Sequence, residues 1–360
     1  MKILQISHGY NVPFLGVSNH YARMLTPKGE VTTLYLSGDE DESVRLQTEG
    51  GRVLFWQLNA KGLKGAKLGL IYKLYQFIRD EQFDLVLCHR YKAIYMAAIC
   101  QLLGLKFRQL GVIHGFGDFK RAARRAFLSL LKKRLLLLGV SNAVRDDIRQ
   151  SMPSFPADKV QTLYNAIDVA EVESKQLDKK QARVFLGLDD KKFIIGNVGR
   201  LHPDKDQATL IRAFSEFHKQ QASSQLVILG SGRLEQQLKD LARKLGVEQQ
   251  IVFLGQVQDA VNYYKAFDLF ALSSDREPFG LVLLEAMVAK VPVVASDCGG
   301  ASEVVADTGY LFDFADVAAL TGVMHKVCAE NNEILVEQAY NKLKGSYSIV
   351  ATTKVLTALL

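Results

Sequence analysis

Two stretches of the sequence carry residue types that suit a phosphorylated, hydroxyl-rich ligand. The first is NVGRLHPDKDQATLIRAF, residues 197–214. An apolar run ends at Gly199, a polar loop follows, and a helical pattern begins near Asp206, which suits an N-cap. Arg200 and Lys205 thereby sit at a strand's carboxyl end, beside a helix N-terminus whose free N–H groups favour anions. A forked guanidinium and a point ammonium together suit a diphosphate. Taken locally, the same residues serve equally well as ordinary solvated charges on a loop.

The second stretch is SSDREPFGLVLLEAMVAKVPVVASDCGG, residues 273–300. Glu277 and Glu285 flank Gly280, where a helix starts, so Glu277 falls on the loop and Glu285 near the second turn. A carboxylate is a good acceptor for paired sugar hydroxyls, and two of them a turn or two apart can hold two sugar rings. The helix N-terminus at Gly280 would face a phosphate lying between those rings. The plain alternative makes Glu285 an exposed helix residue and Glu277 a loop charge. Against it, LVLLEAMV is otherwise apolar, and a bare carboxylate there is costly without partners.

Groups at strand ends need strands to carry them, and the sequence supplies two sets. KILQIS (2–7), VTTLYL (31–36), RVLFWQL (52–58), DLVLCH (84–89), RQLGVIHG (108–115) and LLLLGVS (135–141) read as buried strands, with helical patterns at 67–82 and 91–103. The pattern restarts with strands in KFIIGNVGR (192–200), SQLVILGSG (224–232), QIVFLGQV (250–257), LFALSS (269–274) and VPVVASD (291–297). Helices are expected between them at 206–221, 233–245, 259–266 and 280–289. The fold class is therefore α/β, with two Rossmann-like, doubly wound domains facing each other across a cleft at the carboxyl ends of their sheets. The domains are expected at 1–168 and 169–345, with a linker in 165–190 around the charged run ESKQLDKKQAR. A last helix is expected at 346–360; the pattern leaves open where it packs, and packing back on the first domain is one arrangement.

With 48% hydrophobic and 23% charged residues, the 360-residue chain has the composition of a globular protein. No run approaches the roughly 20 apolar residues that cross a bilayer. Four scattered cysteines form no CxxC pair, so neither a zinc site nor a disulfide framework is indicated, and a reducing cytoplasm follows. Residues 1–170 hold 24 Lys and Arg against 14 Asp and Glu, while residues 171–360 hold 21 against 24. The basic half is suited to something anionic. Its densest part is FKRAARRAFLSLLKKRLLLLGVS (119–141), which divides into the expected strand LLLLGVS and a helix at 119–133. On that helix Phe119, Ala122, Ala123, Ala126 and Leu130 fall on one face, and Lys120, Arg121, Arg124, Arg125 and Lys132 on another. The basic face is either simply solvated or docks on an anionic membrane surface.

Together, GRLHPDKDQATLI and EPFGLVLLEAMVAKVPVVASDCGGASEVV resemble the nucleotide-sugar half of retaining glycosyltransferases of family GT4, which have the GT-B fold. The resemblance is strong over 190–315, continues through LYNAID (163–168), where Ala166 replaces a glycine, and is looser over the first half. It implies that Arg200 and Lys205 neutralise the donor diphosphate and that Glu285 binds the ribose hydroxyls. It implies further that Glu277 contacts the transferred sugar, with the N–H groups of Phe279, Gly280 and Leu281 nearby. Gly16, in PFLGVSNHY, matches a Gly-Gly loop over the diphosphate, although Leu15 stands in place of the other glycine. His114, in VIHG, matches a histidine near the sugar, while His8 and His202 are taken as structural or peripheral.

What the resemblance implies is transfer of a sugar to an acceptor hydroxyl with retained configuration, by same-face attack. It implies no cofactor and no metal. The Asp-x-Asp triplets DED (39–41) and DKD (204–206) resemble metal-binding motifs of another glycosyltransferase fold, but the first lacks phosphate-binding context and the second overlaps the Lys205 loop. The expected partners are a nucleotide-sugar donor, an anionic glycolipid or oligosaccharide acceptor such as lipopolysaccharide core, and the inner face of the cytoplasmic membrane. A nucleotide-sugar epimerase shares the architecture and would form product from donor alone. A basic protein that binds nucleic acid or membrane without catalysis would explain the charge. It would leave the Arg200, Lys205, Glu277 and Glu285 arrangement without a purpose, and no nucleic-acid module or interleaved aromatics are present.

Overall fold

The computed structural model describes residues 1–11, 14–59 and 68–360. Lys67, expected to open a helix, lies outside them, as does Pro13 of the Gly16 segment. By its internal contacts the chain divides into two units, Met1–Ala166 with Ile349–Leu360, and Ile167–Ser348.

The first unit is built on β1 (Lys2–Ser7), β2 (Glu30–Tyr35), β3 (Arg52–Phe55), β4 (Leu85–His89), β5 (Arg108–Ile113), β6 (Leu135–Gly139) and β7 (Val160–Thr162). They lie in the order β3-β2-β1-β4-β5-β6-β7, every pair parallel. The second unit repeats the plan with β8 (Phe193–Val198), β9 (Ser224–Leu229), β10 (Ile251–Gly255), β11 (Leu269–Leu272), β12 (Val293–Ser296) and β13 (Tyr310–Phe312), ordered β10-β9-β8-β11-β12-β13 and also parallel. Helices cover parallel sheets on both faces, so central strands lose their alternation. LVLCH of β4 and SQLVIL of β9 are buried at every position. Each sheet reverses its winding direction once, between β1 and β4 and between β8 and β11, the points where such folds bind ligands.

The structure differs from the sequence expectations at several points. Strands β7 and β13 have three residues each, too few to carry a pattern. Residues 259–266 form a 3₁₀ helix, Ala260–Ala266, in which Tyr263 and Ala266 eclipse and are buried together. The expected linker is helical. Asp168 caps Val169–Lys175 through the Glu171 N–H, and Asp178 caps Lys179–Leu186 through that of Gln181. The basic helix expected at 119–133 is only Ala122–Ser129, and its apolar face is not the expected one. Phe119, Leu128 and Leu131 are buried, whereas Ala122, Ala123, Ala126 and Leu130 face solvent. The last helix, Ile349–Leu359, packs against the helix Phe14–Leu25 of the first unit, and Arg108 donates to the Leu359 carbonyl at 2.7 Å.

One charged group ties the charged run into the second unit. Arg183 is 3% exposed and donates from Nε to the Ala266 carbonyl at 2.9 Å and from its terminal nitrogens to the Asp190 carbonyl at 2.8 Å and Asp268 Oδ2 at 2.6 Å. Asp268 also accepts from the Ile194 N–H at 2.7 Å, so helix Lys179–Leu186 is joined to the starts of β8 and β11. Truncating Arg183 takes the buried cation from Asp268, which keeps only the Ile194 N–H and the exposed Lys179, and strips two carbonyls of their guanidinium donor. Arg183→Ala should therefore cost about 3 kcal/mol, read as a lower denaturant midpoint for the second unit.

Candidate active site

In the second unit the polar loop after β8 is held in place by the loop after β11. Ser273 Oγ donates to the carbonyls of Lys205 and Asp206 at 3.1 and 2.9 Å, and the Asp275 N–H donates to the Asp204 carbonyl at 3.0 Å. Asp206, at φ +40°, caps the helix Gln207–Gln220 through Thr209. Lys205 leaves this loop and places Nζ 2.6 Å from Glu277 Oε2. Arg200 is on the same loop but 72% exposed, its nearest carboxylate being Asp204 at 3.5 Å, and Asp204 also pairs with His202. Asp41, at the end of the other Asp-x-Asp triplet, caps the helix Glu42–Gln47.

Glu277 is 7% exposed, and its Oε1 accepts the Phe279 N–H at 3.4 Å. Its own carbonyl takes the Gly300 N–H at 2.8 Å. Gly280 follows at φ +96°, a left-handed conformation that favours glycine, and Leu281–Val288 begins with no side-chain cap over its first N–H groups. Those uncapped donors form the anion-facing end of the helix. Gly300 is needed for another reason: a Cβ there would lie 2.3 Å from the Pro278 carbonyl oxygen.

Glu285 occupies the second turn of that helix, and its partner is Tyr264. The buried hydroxyl of Tyr264 donates to Glu285 Oε2 at 2.6 Å. Burial pushes the Glu285 carboxyl up to about 7, and the Tyr264 hydrogen bond pulls it partly back. Lys205, Glu277, Phe279, Gly280, Leu281 and Glu285 thus gather around one helix start, with acceptors and donors suited to hydroxyls and phosphate.

The remaining candidates belong to the first unit. His114 follows β5, and its Nε2 lies 2.9 Å from Nδ1 of His89 at the end of β4. Burial and the Arg90 charge depress the His114 imidazole to about 3, so the ring is neutral. Gly16 lies in the first turn of the helix Phe14–Leu25, not in a loop, and a Cβ there would meet nothing within 4 Å. Of the basic group, Arg124 donates to the Asp118 carbonyl at 2.7 Å and stacks over Tyr91 at 4.4 Å, while Arg125 donates to the carbonyls of Phe119 and Lys120 at 3.1 and 2.6 Å. These two hold their own loop together, whereas Lys120 and Arg121 are exposed. Tyr264, Ser273 and His89 complete the sites without any motif in the sequence. The one available signal for Tyr264 was that a glutamate inside LVLLEAMV requires a partner.

The chain is similar to known proteins in sequence and in fold. The family description "Glycosyl transferases group 1" matches residues 178–342, and "Glycosyltransferase Family 4" matches residues 19–171. An uncharacterized glycosyltransferase of Methanocaldococcus jannaschii is 32% identical over 238 residues, which cover 62% of this chain and 60% of that protein. The N-acetylgalactosamine-N,N'-diacetylbacillosaminyl-diphospho-undecaprenol 4-alpha-N-acetylgalactosaminyltransferase of Campylobacter jejuni is 31% identical over 256 residues, 69% of this chain and 66% of that protein. The chain thus spans slightly under two thirds of the length of these two relatives. Among solved structures, an Anabaena protein crystallised with UDP superposes with a TM-score of 0.83 at 21% identity, covering 100% of this chain and 99% of that one. The chain belongs to glycosyltransferase family 4 and has the GT-B fold.

Proposed function

We propose that the protein is a retaining glycosyltransferase that moves a sugar from a nucleoside diphosphate to an acceptor hydroxyl. The observation that carries this reading is the convergence of Lys205, Glu277 and Glu285 on the uncapped helix start at Gly280. Breaking the anomeric C–O bond places negative charge on the departing diphosphate. Lys205 gives one of its three donors to Glu277 and keeps the others for that charge, and the first N–H groups of Leu281–Val288 add to it. Arg200, exposed on the same loop, supplies a second cation. With these groups the leaving diphosphate needs no metal. Glu285 accepts the ribose hydroxyls, and Glu277 those of the transferred sugar. Attack comes from the face the diphosphate leaves, and its oxygen takes the acceptor proton.

The acceptor is an anionic lipid-linked sugar such as lipopolysaccharide core, reached from the inner membrane surface. The basic balance of residues 1–170 supports this, as does the diphospho-undecaprenol in the name of the Campylobacter relative. Exposed Lys120 and Arg121 beside Ala122, Ala123, Ala126 and Leu130 form the docking face. No helix among the described residues is long and apolar enough to cross a membrane.

Lys205→Ala should lower kcat by about 100-fold, and Glu285→Ala should weaken nucleotide binding by about 10- to 100-fold. Binding titrations and turnover unchanged in both variants would sink the assignment, and product formed from donor alone would mark an epimerase. The raised Glu285 carboxyl adds a pH dependence. Its contribution to stability is present below the unfolded value and is lost as pH rises through about 7, while nucleotide binding needs the ionised form. Nucleotide affinity should therefore fall as pH drops below about 7. Glu285→Gln should raise the melting temperature at pH 8 but not at pH 5, at the expense of nucleotide affinity. For docking, Lys120→Glu with Arg121→Glu should weaken binding to anionic vesicles by about 30-fold or more. Unchanged flotation with such vesicles would leave the basic face merely solvated.

A further inference from the structure

His89 has no role in the chemistry above, yet it is 5% exposed and polar. Adjacent strands β4 and β5 bring it to His114, with ring centroids 5.1 Å apart and planes inclined by 30°. Tyr21, fully buried, lies edge-on to the His89 ring at 5.0 Å. Beyond the 2.9 Å contact to His114, the other nitrogen of His89, Nε2, is buried with no hydrogen-bond partner among the described residues. His114 is half-buried and, together with His89, lines a small pocket shared with His8, Gly9, Phe14 and Arg90. Its remaining nitrogen is Nδ1.

Burial holds both imidazoles below their ordinary range, so each carries one proton. Two neutral rings in one hydrogen bond allow two arrangements. In one, His114 Nε2–H donates, which leaves a buried Nε2–H on His89 without an acceptor. In the other, His89 Nδ1–H donates, which leaves a bare lone pair in the same place. Among backbone groups of folded proteins, orphaned buried N–H donors are rarer than under-satisfied acceptors, and the same order of cost at the ring nitrogen favours the second arrangement. We propose that His89 is a positioning residue whose Nδ1–H donates to His114 Nε2. This fixes His114 as the Nδ1–H tautomer, so that its free nitrogen is a hydrogen-bond donor to a sugar oxygen and not a base. The assignment of the sugar rests on the proposed glycosyl transfer; the tautomer does not.

The tautomers can be read without substrate, by long-range ¹H–¹⁵N correlation on the full chain with ¹⁵N-labelled histidines. Signals are assigned by their loss in His89→Leu and His114→Gln. Both rings are expected as Nδ1–H forms, and an Nε2–H form of His114 would overturn the proposal even if sugar transfer were confirmed. Conversely, Nδ1–H forms in a protein that transfers no sugar would keep the tautomer and dismiss the function. With an active donor, His89→Leu should lower kcat about tenfold with little change in donor KM. His89→Asn, whose side-chain amide can stand where Nδ1–H does, should recover most of that loss. Equal losses in the two variants, both with wild-type melting temperatures, would reduce His89 to packing.

Discussion

The candidate active site depends on one carboxylate withdrawn from water. Glu277 is 7% exposed, and a charge so placed must be paired and hydrogen-bonded. Its partners are the Lys205 ammonium, the Phe279 N–H and, through its carbonyl, the Gly300 N–H. One residue thus connects the loop after β8, the turn into Leu281–Val288 and the start of Gly299–Val305. The close approach at Gly300, with no room for a Cβ, follows from the same packing. Lys205 is held in place before any ligand arrives, so less side-chain freedom remains to be lost when a diphosphate binds.

Glu285 shows the opposite balance. Among the described residues its carboxyl has one hydrogen-bond partner, Tyr264, and burial raises its proton affinity. A glutamine there would be easier to keep folded at neutral pH. Holding an ionisable acceptor at this turn is the kind of stability cost that binding sites carry. In the first unit, His89 and His114 likewise keep polar nitrogens at the ends of buried strands, where a fully apolar pair would pack at lower cost.

The basic segment after β5 illustrates how far composition can be trusted. Its leucine run is β6, buried as a central parallel strand must be. Its helix is shorter than the periodicity predicts because Arg124 and Arg125 bond carbonyls of residues 118–120 and hold that approach as a loop. Arg124 and Arg125 are therefore engaged in local structure, and Ala122, Ala123 and Ala126 lie exposed beside Lys120 and Arg121 where helical periodicity predicts a buried face.

By itself the sequence determined the two α/β sets, the central strands of both sheets and the local relation of Arg200, Lys205, Gly280 and Glu285 to strand and helix ends. All of these follow from short-range patterns: continuous apolar runs, N-caps, a glycine at a helix start. It could not show the three-residue edge strands or the helical character of the charged run after Asp168, where caps and the Arg183 network decide. Nor could it pair Lys205 with Glu277, 72 residues apart, Tyr264 with Glu285, or His89 with His114. The first and last of these exist because the order of strands in each sheet sets distant strand ends side by side, and the Tyr264–Glu285 pair because the segments Ala260–Ala266 and Leu281–Val288 pack together. Strand order is settled by packing over the whole unit, and no window of residue types carries it.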